Sequence, residues 1–196
     1  MKDSVKLLSL FTITFFIYGS LQSQSVFKPG NNIIIDIKKV VEDYPNRFAN
    51  ITGKLILQNP QSAEYECNFK VNNAEESSIT IYSADNKIIC SWQALILSTD
   101  NFQEAKSKYK NIYNQLNNQA ISMEGTGNFH LKGVYREPKE ENKFSVSLFT
   151  INPMNENIKK LRVEVSLQYE LMEWKLRVLV YDREKEDDER GRLIDN

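Results

Sequence analysis

Residues 161–180 carry the strongest β-strand pattern in the chain, because apolar and polar side chains alternate there over two successive stretches. Pairing Glu170 with Glu173 sets Tyr169 opposite Trp174, and the pairing of apolar residues then continues on both sides. A half-buried antiparallel hairpin needs one consistently apolar face. The pattern therefore predicts a hairpin, joined either by a two-residue turn or by a looser four-residue loop.

A second hairpin is predicted for residues 79–83 and 87–97, which flank the turn-forming pair Asp85-Asn86. The register can be derived from the sequence. Pairing residue 84 with residue 87 sets apolar against apolar on one face. The pairs are Ile79–Trp92 and Ile81–Cys90 on that face, with Thr80–Ser91 and Tyr82–Ile89 on the other.

One predicted helix precedes each hairpin. Residues 100–117 place apolar side chains at the three-and-four spacing of one helical face, with Thr99 or Asp100 as the predicted N-cap and Gln103 as its capping-box partner. Residues 32–44 form a second helical pattern that puts Asp36 on the polar side and ends before Pro45. The three isoleucines at 33–35 also fit a strand.

Shorter strand patterns cover residues 54–58, 65–71, 129–135 and 144–148, and loops are predicted at 119–128, 137–142 and 152–160. Phe144, Val146 and Leu148 alternate with polar residues in the last of these strands. Helix, two strands and a hairpin thus occur twice, over about 32–97 and 100–182. The predicted fold is α+β, an antiparallel sheet of about eight strands with both helices on one face.

This element order resembles the tandem helix-plus-four-strand layout of β-lactamase inhibitor proteins, in architecture only and without a shared motif. Most of the mature chain is also similar to uncharacterised exported bacterial proteins. The similarity is clearest at LQNPQSAEY, SWQALIL and QYELMEWKLRVLVYDREKEDDERG. Neither resemblance implies an activity or a functional residue.

The first 23 residues have the layout of a secretory signal peptide: an early basic pair, an uncharged run over residues 7–18, and small residues near Ser23. A short membrane anchor or a buried helix is the alternative. We expect a secreted or periplasmic protein whose residues 24–182 form one α+β domain, with no transmembrane segment after cleavage. The charged end, 183–196, is predicted to be a solvated tail, or alternatively an acidic segment that binds a partner or a cation.

Charge excludes some partners. The whole chain has 25 basic and 26 acidic residues, and loss of residues 1–23 removes two lysines and one aspartate, which leaves a net charge of −2. Nucleic-acid-binding proteins carry a localised basic surface, so we expect no nucleic-acid partner.

The two cysteines, Cys67 and Cys90, both occupy core-facing positions of alternating strands. In a simple meander a third strand separates them by ~10 Å, whereas a disulfide needs Cα atoms within ~7 Å. The sequence favours two free thiols, and a disulfide would be possible only with a different strand order.

Few residues offer catalytic chemistry. His130 is the only histidine and lies on the polar side of a weak strand, where an exposed structural role is expected. Adjacent carboxylates occur at Glu75-Glu76 and Glu140-Glu141, on predicted loops where they point apart. We predict no catalytic, metal-binding or cofactor-binding residue, and a hydrolase built from loop residues is the least favoured function.

The outward face of the sheet, opposite the helices, is unusually apolar in this prediction. Six residues are expected to face outward there: Tyr82, Ile89, Leu95, Leu97, Leu179 and Tyr181. Loops from 124–142 that fold over this face, or a simple tolerance of scattered apolar residues, would be the structural explanation.

The functional interpretation is an exported, non-enzymatic binding module of a bacterial cell envelope that uses this open face for a protein, peptide or lipid partner. The alternative is a carrier of a small apolar molecule. Its pocket between helices and sheet would be lined by Trp92, Tyr109, Tyr113, Tyr169 and Trp174.

Overall fold

A computed structural model describes residues 33–84 and 87–183, in which the chain forms two α-helices and nine β-strands. The helices are α1 (Ile33–Glu42) and α2 (Phe102–Leu116). The strands are β1 (Thr52–Gln58), β2 (Ser62–Cys67), β3 (Glu76–Ala84), β4 (Lys87–Thr99), β5 (Ala120–Met123), β6 (Gly127–Gly133), β7 (Phe144–Asn152), β8 (Leu161–Glu170) and β9 (Glu173–Asp182). The predicted signal peptide, the turn at residues 85–86 and the tail after residue 183 lie outside the described residues.

All nine strands form one antiparallel sheet in the order β1-β2-β3-β4-β9-β8-β7-β6-β5. This confirms the predicted α+β class, with one strand more than the expected eight. The additional strand is β5, which lies within the stretch predicted as a loop. Four strands follow α1 and five follow α2, and the last strands of the two halves, β4 and β9, meet at the centre.

Both predicted hairpin registers are confirmed. Ile79 pairs with Trp92 and Ile81 with Cys90 between β3 and β4, and Glu170 pairs with Glu173 between β8 and β9. The β8–β9 link is the two-residue turn. Its residues, Leu171 and Met172, both have positive φ, 51° and 70°, which is the backbone geometry of a tight hairpin turn.

Helix α2 packs on β4, β8 and β9, and α1 packs on α2, so both helices lie on the same face of the sheet. The buried side chains of the helices and of this inward sheet face form one hydrophobic core. The N-cap of α2 differs from both predictions: Asn101 caps the helix by accepting hydrogen bonds from the backbone N–H groups of Gln103 and Glu104. Thr99 instead hydrogen-bonds Glu104.

The sheet curves around the helices. Helix α1 contacts β5 at one edge, and its Asp36 accepts two hydrogen bonds from Asn72, in the connection between β2 and β3, at 2.7 and 2.8 Å. Six strand spacings separate β3 from β5, which is ~29 Å in a flat sheet, whereas the ten residues of α1 extend only ~15 Å. One short helix can contact both regions only because the sheet bends toward it.

The predicted position of Asp36 on the polar side of α1 is therefore wrong. The side chain is buried, and Asn72 satisfies it with its backbone N–H and its side-chain amide. As predicted, α1 ends before Pro45, which lies in a 3₁₀ turn (Tyr44–Asn46). The Tyr44 hydroxyl donates a hydrogen bond to Asp182 and so ties this turn to the end of β9.

Cys67 and Cys90 are free thiols, as the sequence favoured. They lie on β2 and β4, and β3 runs between these two strands. Cys90 is buried, Cys67 is half-buried against the core, and burial raises the pKa of the Cys90 thiol. Both therefore act as small apolar side chains.

We predict that Asp36→Ala lowers the free energy of unfolding by about 1–3 kcal/mol, because it leaves two partly buried donors of Asn72 without their acceptor. Urea unfolding at neutral pH measures this. Glu42→Ala on the same helix is the control: it removes only an exposed ion pair with Lys38 at 3.9 Å, and we expect a change of at most about 0.5 kcal/mol. Equal effects of the two substitutions would contradict the bridging role of Asp36.

Candidate functional site

The outward face of the central strands carries a diagonal band of apolar side chains. Tyr82 pairs with Ile89 across β3 and β4. On β9, Tyr181 lies opposite Ser91 and Leu179 lies opposite Gln93. Five residues that the sequence predicted to face outward are referred to below as the outward band: Tyr82, Ile89, Tyr181, Leu179 and Leu95. Each residue of the band lies directly or diagonally across from the next one on an adjacent strand, or two residues from it on the same strand. The side chains are therefore within reach of one another.

The five residues differ in exposure. Tyr82 is 45% exposed, whereas Leu95 is only 8% exposed. Ile89, Leu179 and Tyr181 are half-buried. Tyr82 is thus the most accessible member and Leu95 the deepest.

Leu97 does not belong to this band, which corrects the prediction that it faces outward. The register between β4 and β9 shifts between Leu95, which pairs with Arg177, and Leu97, which pairs with the buried Leu176. The extra residue, Ile96, forms a β-bulge, and beyond a bulge the alternation of faces is reversed. Leu97 consequently packs against the core.

Strand β7 adds three residues to the outward face that the sequence reasoning did not assign to it. Phe144, Val146 and Leu148 pair with outward residues of β8, while Ser145 and Ser147 occupy the helix side. Ser147 is fully buried and its hydroxyl hydrogen-bonds that of Tyr109 at 2.6 Å. The bond satisfies the buried serine hydroxyl, and the buried Phe149 and Ile151 continue the inward set of the same strand, so the three apolar residues point outward.

Glu164 lies in the middle of this apolar surface. In the β8 registers it is directly opposite Leu148 on one side and Leu179 on the other. Tyr181 donates a hydrogen bond to its Oε2 at 3.0 Å. Burial raises the pKa of the Glu164 carboxyl, and the bond from Tyr181 opposes that shift. A carboxyl is therefore partly desolvated among apolar side chains on the face of the sheet opposite the helices.

A shallow groove adjoins the band. It has a volume of about 200 Å³ and is lined by Ile56, Glu64, Glu76, Ser77, Ser78, Gln93, Leu95 and Arg177. The guanidinium of Arg177 donates two hydrogen bonds to Glu170, at 3.2 and 2.7 Å. Hydrogen bonding to Arg177 lowers the pKa of Glu170. The groove thus combines two aliphatic side chains, Ile56 and Leu95, with charged and polar ones.

Residues 135–137, in the connection between β6 and β7, lie on the helix side of the sheet. Tyr135 packs its ring against Tyr109 and Tyr113 on the helix side. Glu137 forms an ion pair with Lys106 of α2 at 2.8 Å. Residues 135–137 therefore lie along α2, and the sequence-based explanation that this loop shields the band is not met for them.

Three of the five aromatic residues predicted to line a ligand pocket are packed in the core, whereas Tyr113 is partly buried and Tyr169 is 37% exposed. Trp92 and Tyr109 are fully buried, and Trp174 is nearly so. The ring of Tyr169 contacts Trp174, with centroids 5.1 Å apart, and that of Tyr113 contacts Phe149 at 5.3 Å. The Tyr113 hydroxyl donates to the carbonyl of Gly133. These contacts give the rings a packing role, and the carrier function stays a hypothesis.

Residues with catalytic potential are dispersed. His130 is exposed on β6, and Glu75 is held by two hydrogen bonds from Ser98. Glu140 and Glu141 form part of an exposed 3₁₀ turn. Within residues 33–84 and 87–183, no group of three or more His, Cys, Asp or Glu side chains is placed to hold a metal ion.

No protein-family model, no curated protein and no solved structure matches this chain. The two resemblances drawn from the sequence therefore stay predictions. In the described part of the chain, neither helix has the length and apolar composition needed to cross a membrane.

The outward carboxyls give a prediction for pH dependence. An unfolded glutamate has a pKa of about 4.3. Because the pKa of Glu164 is raised in the folded protein, the native state binds more protons just above that value, and stability falls as pH rises. Urea unfolding measures the free energy of unfolding of Glu164→Gln and of the unmodified protein as a function of pH. We expect the difference between them to shift in favour of the variant as the pH rises from about 4.

Glu170→Gln is the matched control, since Glu170 lies on the same strand and face but its pKa is lowered. The contribution of Glu170 is present above a pH of about 4.3 and is lost on acidification. Its variant should therefore lose relative stability as pH rises. The same sign of pH dependence in both variants would contradict the described environment of Glu164.

Proposed function

We propose that this protein is an exported binding module of a bacterial cell envelope and that it captures a protein partner on the outward face of its sheet. The observation that carries the proposal is the apolar face opposite the helices, with Tyr82 exposed on it and Glu164 partly buried at its centre. The signal-peptide layout of residues 1–23 supports export.

The composition of the face supports a protein partner. Specific interfaces combine an apolar, aromatic centre with a polar rim, and tyrosines are frequent among the residues that contribute most to binding. Tyr82 and Tyr181 are the aromatic members of the band, and Arg177, opposite Leu95 at the other end of the band, forms an ion pair with Glu170.

The shape of the outward face favours a protein over a small molecule as the ligand of that face. Pockets for small ligands have volumes of roughly 300–1,000 Å³ and enclose most of the ligand, whereas the groove beside the band has only about 200 Å³. A broad sheet face with a shallow groove offers contact area without enclosure. This geometry suits another macromolecular surface.

We predict that Tyr82→Ala combined with Tyr181→Ala weakens partner capture by about tenfold or more, because truncating an aromatic anchor removes about 1.4 kcal/mol or more of binding free energy. Cells that export the tagged protein would be treated with a crosslinker before lysis. The tagged protein would then be recovered, and the mass of the crosslinked species would be compared between the variants. The free energy of unfolding should change by only about 1–2 kcal/mol.

Ile35→Ala is the control, since Ile35 is 63% exposed on α1, in the helical layer on the opposite side of the sheet. It should leave capture unchanged. Two results would overturn the proposal: full capture by the double tyrosine variant, or its global unfolding, which would show that the face is part of the core. A discrete small-molecule mass retained by the purified protein would favour the carrier function instead.

A further inference from the structure

Strand β1 presents three consecutive aliphatic side chains at an open edge of the sheet. Leu55, Ile56 and Leu57 are 53%, 53% and 50% exposed. The strand pairs with β2 on one side, and no described strand pairs with the other. A free strand edge exposes unpaired backbone N–H and C=O groups, which makes it a template for another strand.

Charge and proline, which often block such an edge, are sparse here. Lys54 is the only charged residue in β1, and the strand contains no proline. Two register shifts interrupt its pairing with β2 and bend the strand, but they leave the three aliphatic side chains exposed. A monomer gains nothing in water from this arrangement, whereas an added strand would cover both the aliphatic surface and the backbone groups.

The opposite edge of the sheet is different. Strand β5 has only four residues, and its apolar side chains Ile121 and Met123 are buried on the helix side. Pairing of β1 with β5 of another copy would also leave a free edge at each end, and such head-to-tail contacts generate open filaments. Pairing of β1 with β1 closes after two copies.

The charge pattern of β1 permits that symmetric pairing. In an antiparallel arrangement centred on Ile56, Lys54 of each copy lies opposite Gln58 of the other, and the aliphatic residues of both copies come together. The two lysines are thus kept apart, whereas a parallel arrangement would set them side by side. Like charges directly opposite each other destabilise a sheet.

We propose that two copies of this protein pair antiparallel through their β1 strands and form one continuous sheet across a twofold axis. This goes beyond the proposed function, because it uses the edge of the sheet and leaves the outward band, on β3, β4 and β9, accessible in both copies.

Leu57→Lys tests this pairing. Leu57 lies opposite Glu64 of β2, so a lysine at this position has a carboxylate partner and should not disturb folding. Ile35→Lys is the matched control, because it places the same charge on an equally apolar, exposed residue away from the edge. Sedimentation velocity of residues 24–196 from 1 to about 100 µM, a range chosen to span typical weak dimers, gives the dissociation constant.

We expect a dimer for the unmodified chain and for Ile35→Lys. For Leu57→Lys we expect a dissociation constant at least about tenfold higher, because the variant loses apolar contact and places a pair of charges in the buried interface. Hydrogen exchange supplies the second readout. The β1 amides that face away from β2 should become protected as concentration rises, and this protection should be absent in Leu57→Lys.

Four results would overturn the proposal. They are a monomer at all concentrations, a dimer that Leu57→Lys does not weaken, a dimer that both lysine variants weaken equally, and β1 amides that are already protected in dilute monomer, which would show that the chain covers its own edge. Failure to find a partner for the outward band would leave all of these measurements unchanged.

Discussion

The pairing of β4 with β9 is the interaction on which the rest of the structure depends. It joins the four strands that follow α1 to the five that follow α2, and so makes one sheet from two halves. Its inward pairs, Trp92 with Val180 and Ala94 with Val178, form the centre of the core under α2. The same register sets Leu179 and Tyr181 on the outward face, because successive residues of a strand point to opposite sides. Core and candidate binding face are therefore two consequences of one strand pairing.

Departures from regular alternation decide which residues reach that face. The bulge at Ile96 returns Leu97 to the core, and the hydrogen bond between Tyr109 and Ser147 allows β7 to turn its aliphatic side chains outward. The result is an outward surface more apolar than a solvated sheet face requires. Curvature has a related cause, since α1 connects two distant parts of the sheet through its contacts with β5 and through Asp36. One short helix thereby holds the bend around the core.

The sequence predicts the parts of this fold that local alternation determines. Both hairpins follow from it residue by residue, because a slip by one position would expose an entire apolar set. Alternation does not state which set faces the helices, so the orientation of Phe144, Val146 and Leu148 required the contact of Ser147 with Tyr109. Strand β5 was missed because four residues give too short a pattern, although Ile121 and Met123 do alternate. Asp36 was misplaced because its partner, Asn72, is distant in the sequence. Four of the outward-band residues lie on the predicted hairpin strands away from the bulge at Ile96, so regular alternation predicts their orientation. Leu95, the fifth, immediately precedes that bulge.

The central claim is that the outward band is an accessible apolar surface that a protein partner covers in the native setting. Hydroxyl-radical footprinting of Tyr82 and Tyr181 tests it most directly, with the exposed Met154 as an internal reference. The oxidation of the protein after purification would be compared with its oxidation in the intact cells that export it. We expect both tyrosines to be oxidised in the purified protein and protected in cells, while Met154 reacts equally in both settings. Equal oxidation of the tyrosines in the two settings, or protection that persists in the pure monomer, would contradict the central claim.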